Sequence, residues 1–134
     1  MPDAVRVDRI IVRTGRLTCD VRIEDEAFRY VTPSVLQAAL RTFPSLPHHS
    51  CVNGIAPTFS AVMETTSIPH LIEHIAIDAQ TRSARDGHAS FVGTTEWLNE
   101  AAGIARIELS FTDDLQAMRA FRRAIDFVNA ALES

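Results

Sequence analysis

Apolar and polar residues alternate with the period of a strand in two clear places. Leu17, Cys19, Val21 and Ile23 are separated by Thr18, Asp20 and Arg22, and Ile107, Leu109 and Phe111 alternate with Arg106, Glu108 and Ser110. Each run predicts a strand with one buried face. Val5, Val7, Ile10 and Val12 also alternate but change phase at Asp8-Arg9, which predicts a bulge, and Thr14-Gly15 supplies a hairpin turn. Ser90 to Trp97 reads as a further strand, separated by Gly103 from the one that follows. Cys19 falls on an inward position and reads as a small core residue.

Elsewhere the pattern is helical. Thr32-Pro33 is a cap followed by proline at the first helical position, and Val35, Leu36, Ala39, Leu40 and Phe43 form a stripe that Pro44 ends. Residues 44–57 contain Pro44, Pro47, Asn53-Gly54 and Pro57, which predict a loop, and this loop carries His48, His49 and Cys51. A short helical segment is expected over Thr58 to Glu64, and Ser67 caps the next helix, with Pro69 tolerated in its first turn. Ser83 to Gly87 is turn-like. Thr112-Asp113-Asp114 caps the last helix, whose apolar face is Leu115, Met118, Phe121, Ile125, Val128 and Leu132. The order ββ-αα-ββ-α, with hairpin-compatible connections, predicts an α+β fold. Its antiparallel four-stranded sheet carries helices packed on one face, in a single domain over residues 1–134.

The helix after Ser67 carries the chemistry. Ile68, Leu71, Ile72, Ile75 and Ala79 follow the spacing of one buried face, which sets His70, Glu73, His74 and Ile77 on the opposite one. Histidines four residues apart are stacked neighbours that can hold one divalent metal. With Glu73 between them the order is H-x-x-E-H, the inverse of the commoner zinc-peptidase helix, where the glutamate is a general base rather than a ligand. The alternative is an exposed helix with two solvated histidines.

A catalytic zinc site takes three protein ligands and keeps one open position. His49 is the third ligand favoured here, with His48, Cys51, Glu96 and Glu108 as alternatives. Asp78, one turn beyond His74, is placed to orient it, unless it is a solvated helix carboxylate. Trp97, beside Glu96, is either a substrate platform or ordinary packing, and His88 stands in a loop without titratable company.

Composition narrows the classes. A formal charge of −4 argues against a nucleic-acid or anionic-membrane binder. No secretory segment or long apolar run is present, which predicts a soluble, cytoplasmic protein. Two cysteines do not make a disulfide scaffold. Walker, G-x-G-x-x-G and G-x-S-x-G motifs are absent, so ATP use, dinucleotide redox chemistry and serine hydrolysis lose their usual supports. Arg119, Arg122 and Arg123 offer a pairing surface for another copy in a homo-oligomer, or a solvated helix face.

Two segments together resemble a family, the N-terminal domain of cyanophycin synthetase. Phe43-Pro44-Ser45-Leu46 followed by His49-Ser50-Cys51 is similar to that domain's Leu-Pro-Ser-Leu and His-Arg-Cys segment, and Thr66 to Gln80 to its His-x-x-Glu-His helix. The similarity runs from about Thr32 to the final helix, without the ATP-grasp and Mur-ligase-like modules of the synthetases. It implies a domain that holds the polymer and, in some members, a metallopeptidase-like site that cleaves it. Residue by residue, it implies metal binding by His70 and His74, a catalytic Glu73, and His49 as the loop histidine. The family's Gly-Arg-Thr-Arg-Glu strand is Gly93-Thr94-Thr95-Glu96-Trp97 here, without either arginine, so contacts to a polymer's carboxylates are lost.

The expectation is a metal-dependent hydrolase of a peptide or isopeptide amide, with zinc (Zn2+) first among the divalent metals. Glu73 is catalytic, His70, His74 and His49 hold the metal, and Cys51, Asp78, Glu96 and Trp97 support the site or touch substrate. The partner is a peptide or cyanophycin-like polymer, with no nucleic acid and no membrane. The alternative is a non-catalytic polymer- or peptide-binding module, or an accessory subunit of a ligase system.

Overall fold

The computed structural model describes residues 3–85 and 90–133. His88 and the Asp86-Gly87 part of the expected turn lie outside the described residues. Strands β1 (Arg6–Arg13) and β2 (Arg16–Arg22) form the first hairpin, and β3 (Gly93–Asn99) and β4 (Ile104–Ser110) the second. Helices α1 (Pro33–Thr42) and α2 (Ile68–Ser83) lie between them in sequence, and α3 (Asp114–Glu133) follows. All pairings are antiparallel and the sheet order is β1-β2-β4-β3, so the two hairpins join through their second strands. The α+β order ββ-αα-ββ-α read from the sequence is the one observed.

The alternation in β2 and β4 decides which face is covered. Leu17, Cys19 and Val21 pair with Leu109, Ile107 and Ala105, and all six side chains are buried beneath the helices. The expected bulge lies between Val7 and Arg9, and Gly15 turns the hairpin at φ 68°. Gly103 turns the second hairpin at φ 73°, where a Cβ would lie 2.0 Å from the Ile23 carbonyl oxygen, so no other residue fits. Val7, Ile10 and Val12 share the covered side with the core residues of β2 but stay exposed, because β1 is an edge strand.

Caps place the helices. Thr32 Oγ1 accepts from Val35 N at 3.4 Å, and Ser67 Oγ from His70 N at 3.2 Å, each before a proline in the first turn. Asp113 Oδ1 accepts from Leu115 N and Gln116 N and caps α3. The core lies where α2 crosses β3 and β4 and α3 packs against α2, and it includes Phe43, Phe59 and Phe121.

Four expectations are corrected. The segment expected as a helix over Thr58 to Glu64 is a single 3-10 turn, Phe59–Ala61, and the loop before it contains another, Leu46–His48. One turn gains too few hydrogen bonds to propagate. The third strand begins at Gly93 rather than Ser90, because pairing starts where Gly93 stands opposite Leu109. Leu115 is 59% exposed, and the buried face of α3 begins at Ala117. Finally, α2 is buried on nearly every side, including the face that carries His74. No helix among the described residues is long and apolar enough to cross a membrane.

Candidate functional site

Helix α2 is wedged between the sheet and the loop that precedes it. Its sheet-facing residues pack on β3 and β4, while the loop crosses its other side, closed by pairing of Ser50 with Thr58. His74 is 2% exposed and Glu73 4%, so neither is a solvated surface group. Phe59 stacks on the His74 ring at 4.1 Å between centroids and meets His70 edge-on at 5.2 Å. The two imidazoles are thereby fixed from the loop side.

Three nitrogen and sulfur donors converge. His70 Nε2 lies 3.2 Å from His74 Nε2, and Cys51 Sγ lies 3.6 Å from His70 Nε2. One donor atom from each of Cys51, His70 and His74 falls within 4.8 Å of the others, a group able to hold a metal ion. Cys51 and His70 are half-buried and give the cluster its route to solvent. The other cysteine, Cys19, is sealed in the core, where burial and then Asp20 push its thiol up to about 12.

His49 reaches His74 from the opposite side. Its Nδ1 is 3.1 Å from His74 Nδ1, and its Nε2 is 3.3 Å from Asp78 Oδ1. Ser45 Oγ donates to the same Asp78 oxygen, and Arg82 Nε lies 2.9 Å from the other. Burial pushes the Asp78 carboxyl up, but the bonds from His49 and Ser45 and the Arg82 charge outweigh it and hold the group below the usual range. Asp78 therefore accepts from His49 Nε2–H. Where His49 Nδ1 accepts from His74 Nδ1–H, His74 Nε2 keeps a lone pair aimed at His70.

Burial first, then the nearby His70 and His49, push the His74 pKa down to about 3, so this ring is neutral at pH 7. Burial also lowers the His70 pKa. Thr66 Oγ1 sits 2.7 Å from His70 Nδ1 and fixes the ring's rotation. If Nδ1 donates to that hydroxyl, both Nε2 lone pairs face each other at 3.2 Å, an arrangement that a shared cation relieves.

Glu73 is held from the sheet. Thr95 Oγ1 donates to Glu73 Oε1 at 2.7 Å, and the other oxygen, Oε2, lies 3.8 Å from His74 Nε2. Burial raises the Glu73 pKa, opposed by the Thr95 bond and by His49. Gly93 lies against the carboxylate stem, where a Cβ would come within 2.9 Å of Glu73 Cγ.

The remaining expected residues separate. Asp78 supports His74 through His49 rather than directly. Glu96 and Glu108, alternatives for a third ligand, project from the sheet face opposite to Thr95; Glu108 accepts from Thr18 at 3.0 Å. Trp97 shares the face of Thr95 and tilts against Tyr30 at 6.2 Å. His48 is exposed. A cleft of about 620 Å3 lies away from the histidines, between the ends of α2 and α3, lined in part by Arg85, Gln116, Arg119 and Arg123. Arg122 meets Asp126 at 3.8 Å, and Arg123 lies over the Phe43 ring.

Sequence reading did not single out Ser45, Phe59, Thr66 or Thr95 as site residues. Thr66 alone had a local signal, four residues before His70 at the start of the helix. No curated protein matches the chain. A family model described as the cyanophycin synthase-like N-terminal domain matches residues 18–133, which takes in the loop, α2 and the whole second hairpin. The chain belongs to that family.

Proposed function

We propose that the chain is a metal-dependent amide hydrolase acting on a peptide or isopeptide bond, with zinc as the metal. The observation that carries this reading is the convergence of the Cys51, His70 and His74 donors beside a buried glutamate. A tetrahedral site with about 2.05 Å to nitrogen and about 2.3 Å to sulfur spaces two nitrogens about 3.3 Å apart and a nitrogen and a sulfur about 3.6 Å apart. The two separations made by His70 are 3.2 Å to His74 and 3.6 Å to Cys51, and the third pair, Cys51 with His74, lies within 4.8 Å, so metal binding would draw the Cys51 loop inward. Two neutral imidazoles and one thiolate are also the ligand types that zinc favours.

In this reading Cys51 takes the third position, and His49, expected there from the sequence, orients His74 from behind, with Asp78 as the terminal acceptor. When bound by Cys51, His70 and His74, zinc would supply Lewis acidity and would make a water beside Glu73 more acidic. Glu73, beside His74 Nε2 and raised by burial, takes the proton of the attacking water and returns it to the leaving amine nitrogen. Thr95 keeps that carboxylate in one rotamer through the transfer. Glu73→Gln is expected to abolish hydrolysis and leave metal binding intact. Retained turnover in that variant would exclude this mechanism.

A further inference from the structure

The sheet has two edges, and they are built differently. β1 carries Arg6, Asp8, Arg9 and Arg13 and a bulge between Val7 and Arg9. Charges and bulges are the means by which sheets prevent another strand from adding. β3 carries a single charge, Glu96, between Gly93 and Trp97, has no proline, and becomes irregular only beyond Trp97.

The register tells which backbone groups are free. Ser110 N donates to Val92 O at 2.8 Å. Hydrogen-bonded and non-bonded pairs alternate along an antiparallel ladder, so Thr94 and Glu96 turn their backbone groups to β4, while Gly93, Thr95 and Trp97 turn theirs outward. Among the described residues no other backbone group pairs with this edge. The same three residues adjoin the candidate site: Gly93 lies against the Glu73 stem, Thr95 bonds its carboxylate, and Trp97 continues the row towards Tyr30.

We infer that the free edge of β3 receives an extended peptide as a fifth strand, which seats the substrate's backbone beside Glu73. The chemistry of that peptide's cleavage rests on the hydrolase reading above; its binding does not. Main-chain bonds to Gly93, Thr95 and Trp97 supply affinity that depends little on side chains. Specificity comes from alternate side chains, one of which falls on the Trp97 and Tyr30 rings and is best filled by an apolar or aromatic group.

Amide hydrogen exchange, followed by NMR on the Glu73→Gln variant, tests this with a capped, sequence-degenerate peptide mixture of about eight residues, enough for one strand. With peptide at about nine times its Kd, one edge in about ten is free, so exchange at Gly93, Thr95 and Trp97 slows about tenfold while Thr94 and Glu96 stay as they were. Unchanged exchange at the three amides overturns strand addition, and so does slowing spread evenly over the sheet, β1 included. Selective slowing without cleavage of the same mixture by the unmodified chain keeps strand addition and removes ordinary peptides as substrates of the proposed hydrolase. Cleavage without slowing does the reverse.

Discussion

His49 Nδ1 lies 3.1 Å from His74 Nδ1, on the side of the ring away from Cys51 and His70. In the proposed metal centre that relationship makes His49 a support for the His74 ligand, with Asp78 completing the line at 3.3 Å. Partners of this kind fix the tautomer and raise ligand basicity. His49→Ala is therefore expected to weaken zinc binding by about 10–100-fold without abolishing it. Competition titration against a chelator measures this. Loss as complete as in His74→Ala would make His49 a direct ligand instead.

Thr95 holds the Glu73 carboxylate at 2.7 Å, and Glu73 itself is buried. Thr95→Val keeps the shape and removes the donor, at a cost of about 1–3 kcal/mol in stability. It also takes away an interaction that opposes the burial-driven rise of the Glu73 pKa, so the acidic limb of a pH–rate profile moves to higher pH. An unmoved limb would mean that a different group sets it.

Gly93→Ala places a methyl 2.8 Å from the Glu108 carbonyl oxygen and 2.9 Å from Glu73 Cγ. The backbone oxygen cannot yield cheaply, so destabilisation of about 1–3 kcal/mol is expected. Urea unfolding gives the number. A variant as stable as the parent would show that the start of β3 can shift against both β4 and α2.

On the uncovered sheet face, Arg106 donates to both Asp20 oxygens, at 2.8 Å and 3.1 Å, and Arg9 adds a contact at 3.2 Å. The Arg106 bonds, then its charge and Arg9, outweigh burial and hold the Asp20 carboxyl below its usual range. A carboxyl depressed in the folded state contributes stability above its unfolded pKa and loses it as the pH falls through the folded value. Asp20→Asn should thus lower the unfolding midpoint at pH 7, and the gap to the parent should close as the pH drops below about 4. A gap independent of pH would assign the effect to packing.

The strands β2 and β4 were legible because one face is core and the other polar, and their alternation says so residue by residue. The Thr58 to Glu64 segment was not: Phe59, Val62 and Met63 have helical spacing, yet Phe59 N is tied to His49 O at 2.9 Å and the chain turns only once. The His70, Glu73 and His74 cluster was readable from helix geometry alone. Its loop-borne neighbours were less so, because whether Cys51 or His49 meets the Nε2 side of the histidines depends on how residues 44–62 close over α2. Nothing local marks that closure. Thr95 reaches Glu73 only through the pairing of the second hairpin beneath the helix.

The most direct measurement is the zinc content of the purified protein by elemental analysis, alongside His70→Ala, His74→Ala and Cys51→Ala. A metal centre at this cluster predicts near-stoichiometric zinc in the parent and its loss in all three variants. Folded parent protein that is free of zinc and cannot be loaded with it would contradict the hydrolase reading.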